Sequence, residues 1–174
     1  MSKNIVIVIL VVIIAVGGVF FFLKDDADAP EGNSSQNSST QQSSNSSTTD
    51  GLVLDYANQG LTEFPKDALN KTNAVELNLS GNNLTGALPS EIQKFTKLEV
   101  LNVSSNQMTG IPAEVGQLSK LRILNYANNQ ITGIPNELGK LQNLELFDLS
   151  GNNPSQQDLN GIKADLPSST VIKL

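Results

Sequence analysis

Residues 77–92 read LNLSGNNLTGALPSEI, and residues 101–115 read LNVSSNQMTGIPAEV. The same order of leucine, asparagine, glycine and proline returns at residues 124–138, LNYANNQITGIPNEL. A period of this kind precedes any local reading, because a repeated unit buries its apolar side only against its neighbours. Aligned on the first leucine, the series runs Leu54, Leu77, Leu101, Leu124 and Phe147, at steps of 23, 24, 23 and 23. Five units are present.

Each unit opens on a short apolar alternation, LDYANQGL, LNLSGNNL, LNVSSNQM, LNYANNQI and FDLSGNNP, whose first and third residues share one face of a strand. An asparagine follows five places after the first apolar residue in four of them: Asn82, Asn106, Asn129 and Asn152. A turn with Gly and Pro comes next, then a second apolar set, such as Ile111, Val115 and Leu118. One such unit leaves its apolar edges open above and below, and stacking closes them. Where the chain turns inward after the strand, an amide side chain supplies donors and an acceptor to backbone groups that would otherwise be buried unpaired. The four asparagines therefore read as a structural column.

These residues resemble the leucine-rich repeat family, with its LxxLxLxxNxL pattern, and the LTGxIPxELGxLxxL continuation is similar to the variety found in plant receptors and some bacterial surface proteins. The resemblance covers about 100 of the 125 residues from 50 to 174. It implies an α/β solenoid, a short arc with a parallel β-sheet on its concave side. The paired cysteines of plant receptors and any kinase segment are absent, which argues against a plant receptor fragment, and the resemblance is to a bacterial membrane-anchored leucine-rich repeat protein. Gln59 replaces the column asparagine in the first unit, Lys71 stands where later units have Phe95, Leu118 and Leu141, and Pro154 interrupts the last unit. After Pro154 the pattern predicts a helix over about 155–164 and a strand over 171–174, a cap for the last edge. No obvious cap precedes the first unit: either that unit is itself the cap, helped by Tyr56 and Phe64, or its edge meets another copy or a partner.

Strand residues between the inward ones face solvent. One outward column is Asp55, Asn78, Asn102, Asn125 and Asp148, and its neighbour is Val53, Glu76, Val100, Ile123 and Leu146. Arg122 stands on the flank, with Leu52, Val75, Glu99 and Glu145. A polar column beside an aliphatic one suits a protein, an extended peptide or a glycan. Tyr56 and Tyr126 point inward, where each hydroxyl calls for a partner.

The remainder of the chain differs in kind. Residues 5–23, IVIVILVVIIAVGGVFFFL, carry no charge, and as a helix of about 1.5 Å per residue they match a hydrocarbon core of about 30 Å. Residues 1–24 are read as a single-pass membrane anchor, with the repeats extracytoplasmic; the alternative is a signal peptide cleaved after the Ala27-Asp28-Ala29 triplet, releasing a secreted protein. Residues 25–49, rich in Ser, Asn and Gln, have nothing to bury and read as a disordered linker. Residues 50–174 form the repeat domain.

Function classes narrow accordingly. The chain has no cysteine and no histidine, which removes thiolate chemistry and the commonest metal ligand. Asp55 and Asp148 fall at opposite ends of five strands, roughly 19 Å apart, whereas glycosidase carboxylates sit about 5 to 10 Å apart. Residues 50–174 hold nine Lys or Arg against 13 Asp or Glu, a net charge of minus four that disfavours nucleic acid. The expectation is a non-enzymatic recognition module without metal or cofactor, anchored at the membrane. The alternative is an adhesion protein that self-associates through its uncapped first unit.

Overall fold

The computed structural model describes residues 51–174. The membrane-anchor and linker assignments, residues 1–24 and 25–49, lie outside the described residues. Among the described residues, no helix is long and apolar enough to cross a membrane.

The strands in chain order are β1 (Leu52–Asp55), β2 (Ala74–Asn78), β3 (Thr85–Gly86), β4 (Val100–Asn102), β5 (Gln107–Met108), β6 (Ile123–Asn125), β7 (Leu146–Asp148) and β8 (Val171–Lys173), with one α-helix, α1 (Gln156–Asp165). Six of them form one parallel sheet in the order β1-β2-β4-β6-β7-β8, and β3 pairs with β5 in a second. The register joins like to like: Leu54 to Leu77, Leu77 to Leu101, Leu101 to Leu124, Leu124 to Phe147 and Phe147 to Ile172. The five aligned positions thus stand side by side, the arrangement that the period demands. Leu77, Leu101, Leu124 and Phe147 are fully buried, as are Leu79, Val103 and Leu149 two places on.

The side opposite the sheet departs from the α/β expectation. Each of the first four coils makes a five-residue 3-10 turn there, Lys66–Asn70, Ser90–Lys94, Ala113–Gln117 and Asn136–Lys140, preceded by an extended proline, and α1 takes its place in the fifth. The reason is spacing. Strands stack about 4.8 Å apart while an α-helix with its side chains is about 10 to 12 Å across, so the slimmer turn lets the coils stay close. Gly116 marks how close: a Cβ there would lie 2.2 Å from the Glu137 carbonyl oxygen.

A left-handed residue leads into each inward turn: Asn58, Gly81, Ser105, Asn128 and Gly151 have φ of 57°, 68°, 55°, 56° and 76°. Asn and Gly tolerate this region best, which explains the GN and NN pairs that recur before the second apolar set.

At the first coil, the Tyr56 hydroxyl donates to Asp67 Oδ2 at 2.7 Å, and Lys71 Nζ lies 3.2 Å from the same carboxylate. Lys71 breaks the apolar pattern where, among the described residues, no further coil lies beyond it to bury an apolar side chain. At the other end, α1 buries Leu159 and Ile162, with Leu166 just beyond it. Asp158 Oδ2 accepts from Ile134 N at 3.1 Å, and Gln142 Nε2 donates to the Asp165 carbonyl at 3.0 Å. The Thr170 hydroxyl donates to the Leu144 carbonyl at 2.6 Å. The helix and last strand are thereby tied to the coil they cover.

Candidate functional site

The site is built on the frame, and the frame includes the asparagine column. Asn106 Oδ1 accepts from Leu84 N at 3.0 Å, and its Nδ2 donates to the carbonyls of Leu79 at 3.0 Å and Val103 at 3.1 Å. Asn129 repeats the pattern one coil on, with Met108 N, Val103 and Tyr126 as partners. Asn152 does so with Ile131 N, Tyr126 and Leu149. Asn82 Oδ1 accepts twice, from Gln59 N and Leu61 N. Gln59, in the column's first slot, is exposed and donates to its own coil at the Asp55 carbonyl.

The two outward columns are extended by a strand's worth of residues that the sequence reading left out. Val53, Glu76, Val100, Ile123 and Leu146 pair in succession and are joined by Val171; Asp55, Asn78, Asn102, Asn125 and Asp148 are joined by Lys173. The signal was available in the alternation Val171-Ile172-Lys173, whose middle residue takes the inward register position beside Phe147. Apart from exposed Val53, the aliphatic column from Glu76 to Leu146 is half-buried.

The polar column is less free than its sequence suggests. Each acid or amide turns back on its own chain: Asp55 Oδ1 accepts from Ala57 N, Asn78 and Asn102 from the N–H and hydroxyl of Ser80 and Ser104, Asn125 from Ala127 N and Asp148 from Ser150 N. These closures end each strand and start the inward turn. Asn78 Nδ2 also donates to Asp55 Oδ1 at 3.1 Å. For Asn102 and Asn125, the Nδ2 groups donate to no described residue, so half of each amide remains for a ligand.

Charge on the face is graded. Burial, helped by Asp55, pushes the Glu76 carboxyl above its usual range. Burial acts the same way at Asp148, but hydrogen bonds from Ser150 and the Lys173 ammonium outweigh it and hold that carboxyl below the usual range. On the flank, Arg122 Nε lies 2.9 Å from Glu145 Oε1 and its Nη1 3.5 Å from Glu99 Oε2. Beside them is a shallow depression of about 300 Å³ lined by Val53, Val75, Glu76, Glu99, Val100 and Arg122. Four strand steps separate Asp55 from Asp148, so the geometry does not bring those carboxylates together. Among the described residues there is no group of acidic side chains placed to hold a metal ion.

Tyr126 corrects an expectation. Its ring fills the core, but its buried hydroxyl has no hydrogen-bond partner among the described residues.

Comparison with known proteins agrees with the frame. A leucine rich repeat family model matches residues 96–153 and another matches residues 73–95. No curated protein sequence matches the chain. Among solved structures, a leucine-rich repeat protein of Leptospira interrogans is similar at 29% identity and TM-score 0.54, over 66% of this chain and 34% of its own. The plant peptide hormone receptor RGFR1, solved in complex with RGF2, is similar at 31% identity and TM-score 0.57, over 70% of this chain and 20% of its own. The ectodomain of the Arabidopsis thaliana receptor kinase SOBIR1 gives 30% identity and TM-score 0.54, over 68% and 65%. The chain thus spans about a third of the Leptospira protein and a fifth of the hormone receptor. Matching repeats, strand register and neighbours of one fold agree, and the chain belongs to the leucine-rich repeat family.

Proposed function

We propose that this chain is a non-enzymatic recognition module whose open sheet face docks an extended segment of a protein partner, displayed outside the cell by a membrane anchor at residues 5–23. The observation that carries the reading is the pair of parallel columns across the strands, one aliphatic from Val100 to Leu146 and one polar from Asp55 to Asp148. An extended peptide laid across the strands would set apolar side chains against Val100, Ile123 and Leu146 and offer carbonyls to the Nδ2 groups of Asn102 and Asn125. Glycan is the less suited ligand, since the aliphatic column gives its hydroxyls no partner. Support by likeness comes from RGFR1, which is solved with RGF2 bound.

The test is a photo-crosslinking side chain placed at Ile123 on the face and, as a control, at Gln117 on the opposite side, in cells of the source organism. A partner captured at residue 123 and not at 117 is expected. Ile123→Asp should then abolish binding of that partner with the melting temperature little changed. Equal capture at both positions, or undiminished binding by Ile123→Asp, would defeat the proposal. Protease treatment of intact cells tests the display: loss of the repeat domain with the cells unbroken is expected, and protection until lysis would place it inside.

A further inference from the structure

The large exposed apolar side chains of the described residues are four, and they fall at the two edges of the main sheet: Leu52 (38% exposed) and Val53 (54%) on β1, Val171 (55%) on β8 and Leu174 (59%) just after it. The partly buried apolar residues that lean on the core follow the same rule. Tyr56, Leu61, Phe64 and Leu69 belong to the first coil, and Ile172 belongs to the last strand. An exposed strand edge carrying apolar side chains is a template for another strand.

We propose that the occupant is a second copy of this chain, with β8 of one molecule pairing in parallel beside β1 of the next, so that the sheet continues head to tail. The inference does not rest on the peptide-docking reading: it uses the two edges of the sheet, where Val53, Asp55, Val171 and Lys173 end the outward columns, and leaves the stretch from Val100 to Leu146 between them open.

Register, charge and backbone pattern select this pairing. Every interior step of the sheet is a translation that matches inward position to inward position. One more step past β8 sets Val171 beside Val53 of the next copy, Ile172 beside Leu54 and Lys173 beside Asp55. The first pair covers the two most exposed large apolar residues of the strands with each other. The last pair follows from the order of charge in the polar column, which begins with Asp55 and ends with Lys173. Lys173 Nζ already lies 3.5 Å from Asp148 Oδ2 on its inner side, and the added copy brings a second carboxylate to its outer side. Two first strands paired across a twofold axis would run antiparallel and lose this match.

The backbone is prepared in the same way. At interior junctions, Tyr126 N donates to the Asp148 carbonyl and Leu149 N to the Lys173 carbonyl, while Leu146 N donates back to Arg122 and Val171 N to Glu145. Continued once more, the pattern pairs Leu174 N with the Asp55 carbonyl of the next copy and that copy's Val53 N with the Thr170 carbonyl. Beside β8 a depression of about 320 Å³, lined by Leu166, Pro167, Thr170 and Ile172, leaves room for a side chain of the incoming first coil. Such an interface joins two different surfaces, so it adds copy after copy, as an open chain or as a ring of several copies.

The chain's lack of cysteine makes the test clean. In the full-length protein, Val53→Cys and Val171→Cys are combined. Neighbouring strands about 4.8 Å apart lie within the Cα separation of about 4.4 to 6.8 Å that a disulfide spans. Within one molecule the two positions are five strand steps apart, about 24 Å, so they cannot bridge internally. Mild oxidation should give the double variant a ladder of dimers, trimers and longer species on a non-reducing gel, and each single variant should stay monomeric. Asp55→Asn, which keeps the turn and removes the charge, should thin the ladder several-fold at low salt. A double variant that melts as the wild type yet remains monomeric would overturn the proposal. So would Val53→Cys alone forming dimers as readily. Sedimentation of the unmodified chain gives an independent reading: a coefficient that climbs with concentration is expected, and a constant monomer value up to the solubility limit would refute it.

Discussion

Asn106→Ala tests the frame where its geometry is most explicit. Asn106 is 9% exposed, and its amide meets one N–H and two principal carbonyls. Those three groups do not suffer equally when the amide is removed. The Leu79 carbonyl keeps the bond from Asn82 Nδ2 at 2.8 Å, and the Val103 carbonyl keeps the one from Asn129 Nδ2 at 3.0 Å. Leu84 N–H loses its acceptor. One buried donor left unpaired costs about 1 to 3 kcal/mol, so the variant should lose about 2 kcal/mol. With a urea slope of about 1 to 3 kcal/mol/M, the midpoint should fall by about 1 M at unchanged slope. Gln107→Ala, exposed and next in sequence, is the control and should stay within about 0.5 kcal/mol. Asn106→Asp adds a second reading. Its carboxylate can accept from Leu84 N but would oppose two carbonyl oxygens, so the folded state favours the protonated acid. A folded-state pKa raised in this way makes the variant most stable below about pH 4 and progressively weaker as pH rises through the folded value, a dependence that Asn106 itself lacks. An Asn106→Ala midpoint no lower than that of Gln107→Ala would show that the column does not hold the coils together.

Three further substitutions follow from single positions. Ser105 holds φ of 55° without a side-chain hydrogen bond among the described residues, so Ser105→Gly should raise the urea midpoint by up to about 1 kcal/mol equivalent, a loss instead indicating that the turn is unstrained. Tyr126→Phe removes a buried hydroxyl that has no partner, and calorimetry should show equal or higher stability, by up to about 2 kcal/mol; marked destabilisation would reveal a bond that the geometry does not provide. Burial and Asp55 raise the Glu76 carboxyl, so its ionisation costs stability as pH climbs through the folded value. Glu76→Gln should therefore melt higher than the wild type at pH 7, with the gap closing below about pH 4, and a gap independent of pH would assign the effect to something other than charge.

The fold was legible because its determinants repeat. Leu77, Leu101, Leu124 and Phe147 each carry the same instruction, and an error at one would have been exposed by the other three. Departures were informative for the same reason: Lys71 and Pro154 mark the ends, and the structure places an exposed ion pair at one and the approach to α1 at the other. The 3-10 turns were not legible, since Ile92, Val115 and Leu138 satisfy either helical period over so short a span. What decides between them is the distance between coils, a property of the stack that no single unit encodes.

The outward columns were legible as positions and not as roles. Asn102 and Asn106 are four residues apart in the same coil, and composition does not tell them apart. Asn106 gives its whole amide to the backbone of its own and the neighbouring coil, whereas Asn102 gives its oxygen to Ser104 and leaves its nitrogen unclaimed by any described residue. A residue that closes the turn with one atom and faces outward with the other cannot be sorted into frame or site. It follows that removing Asn102 disturbs both, through a half-exposed closure bond that is cheaper to lose than the Leu84 bond in the interior. A binding defect in Asn102→Ala is therefore interpretable only beside a variant that keeps the oxygen and changes the nitrogen. Asn102→Asp is that variant: it retains the acceptor for Ser104 and presents a carboxylate oxygen in place of the donor.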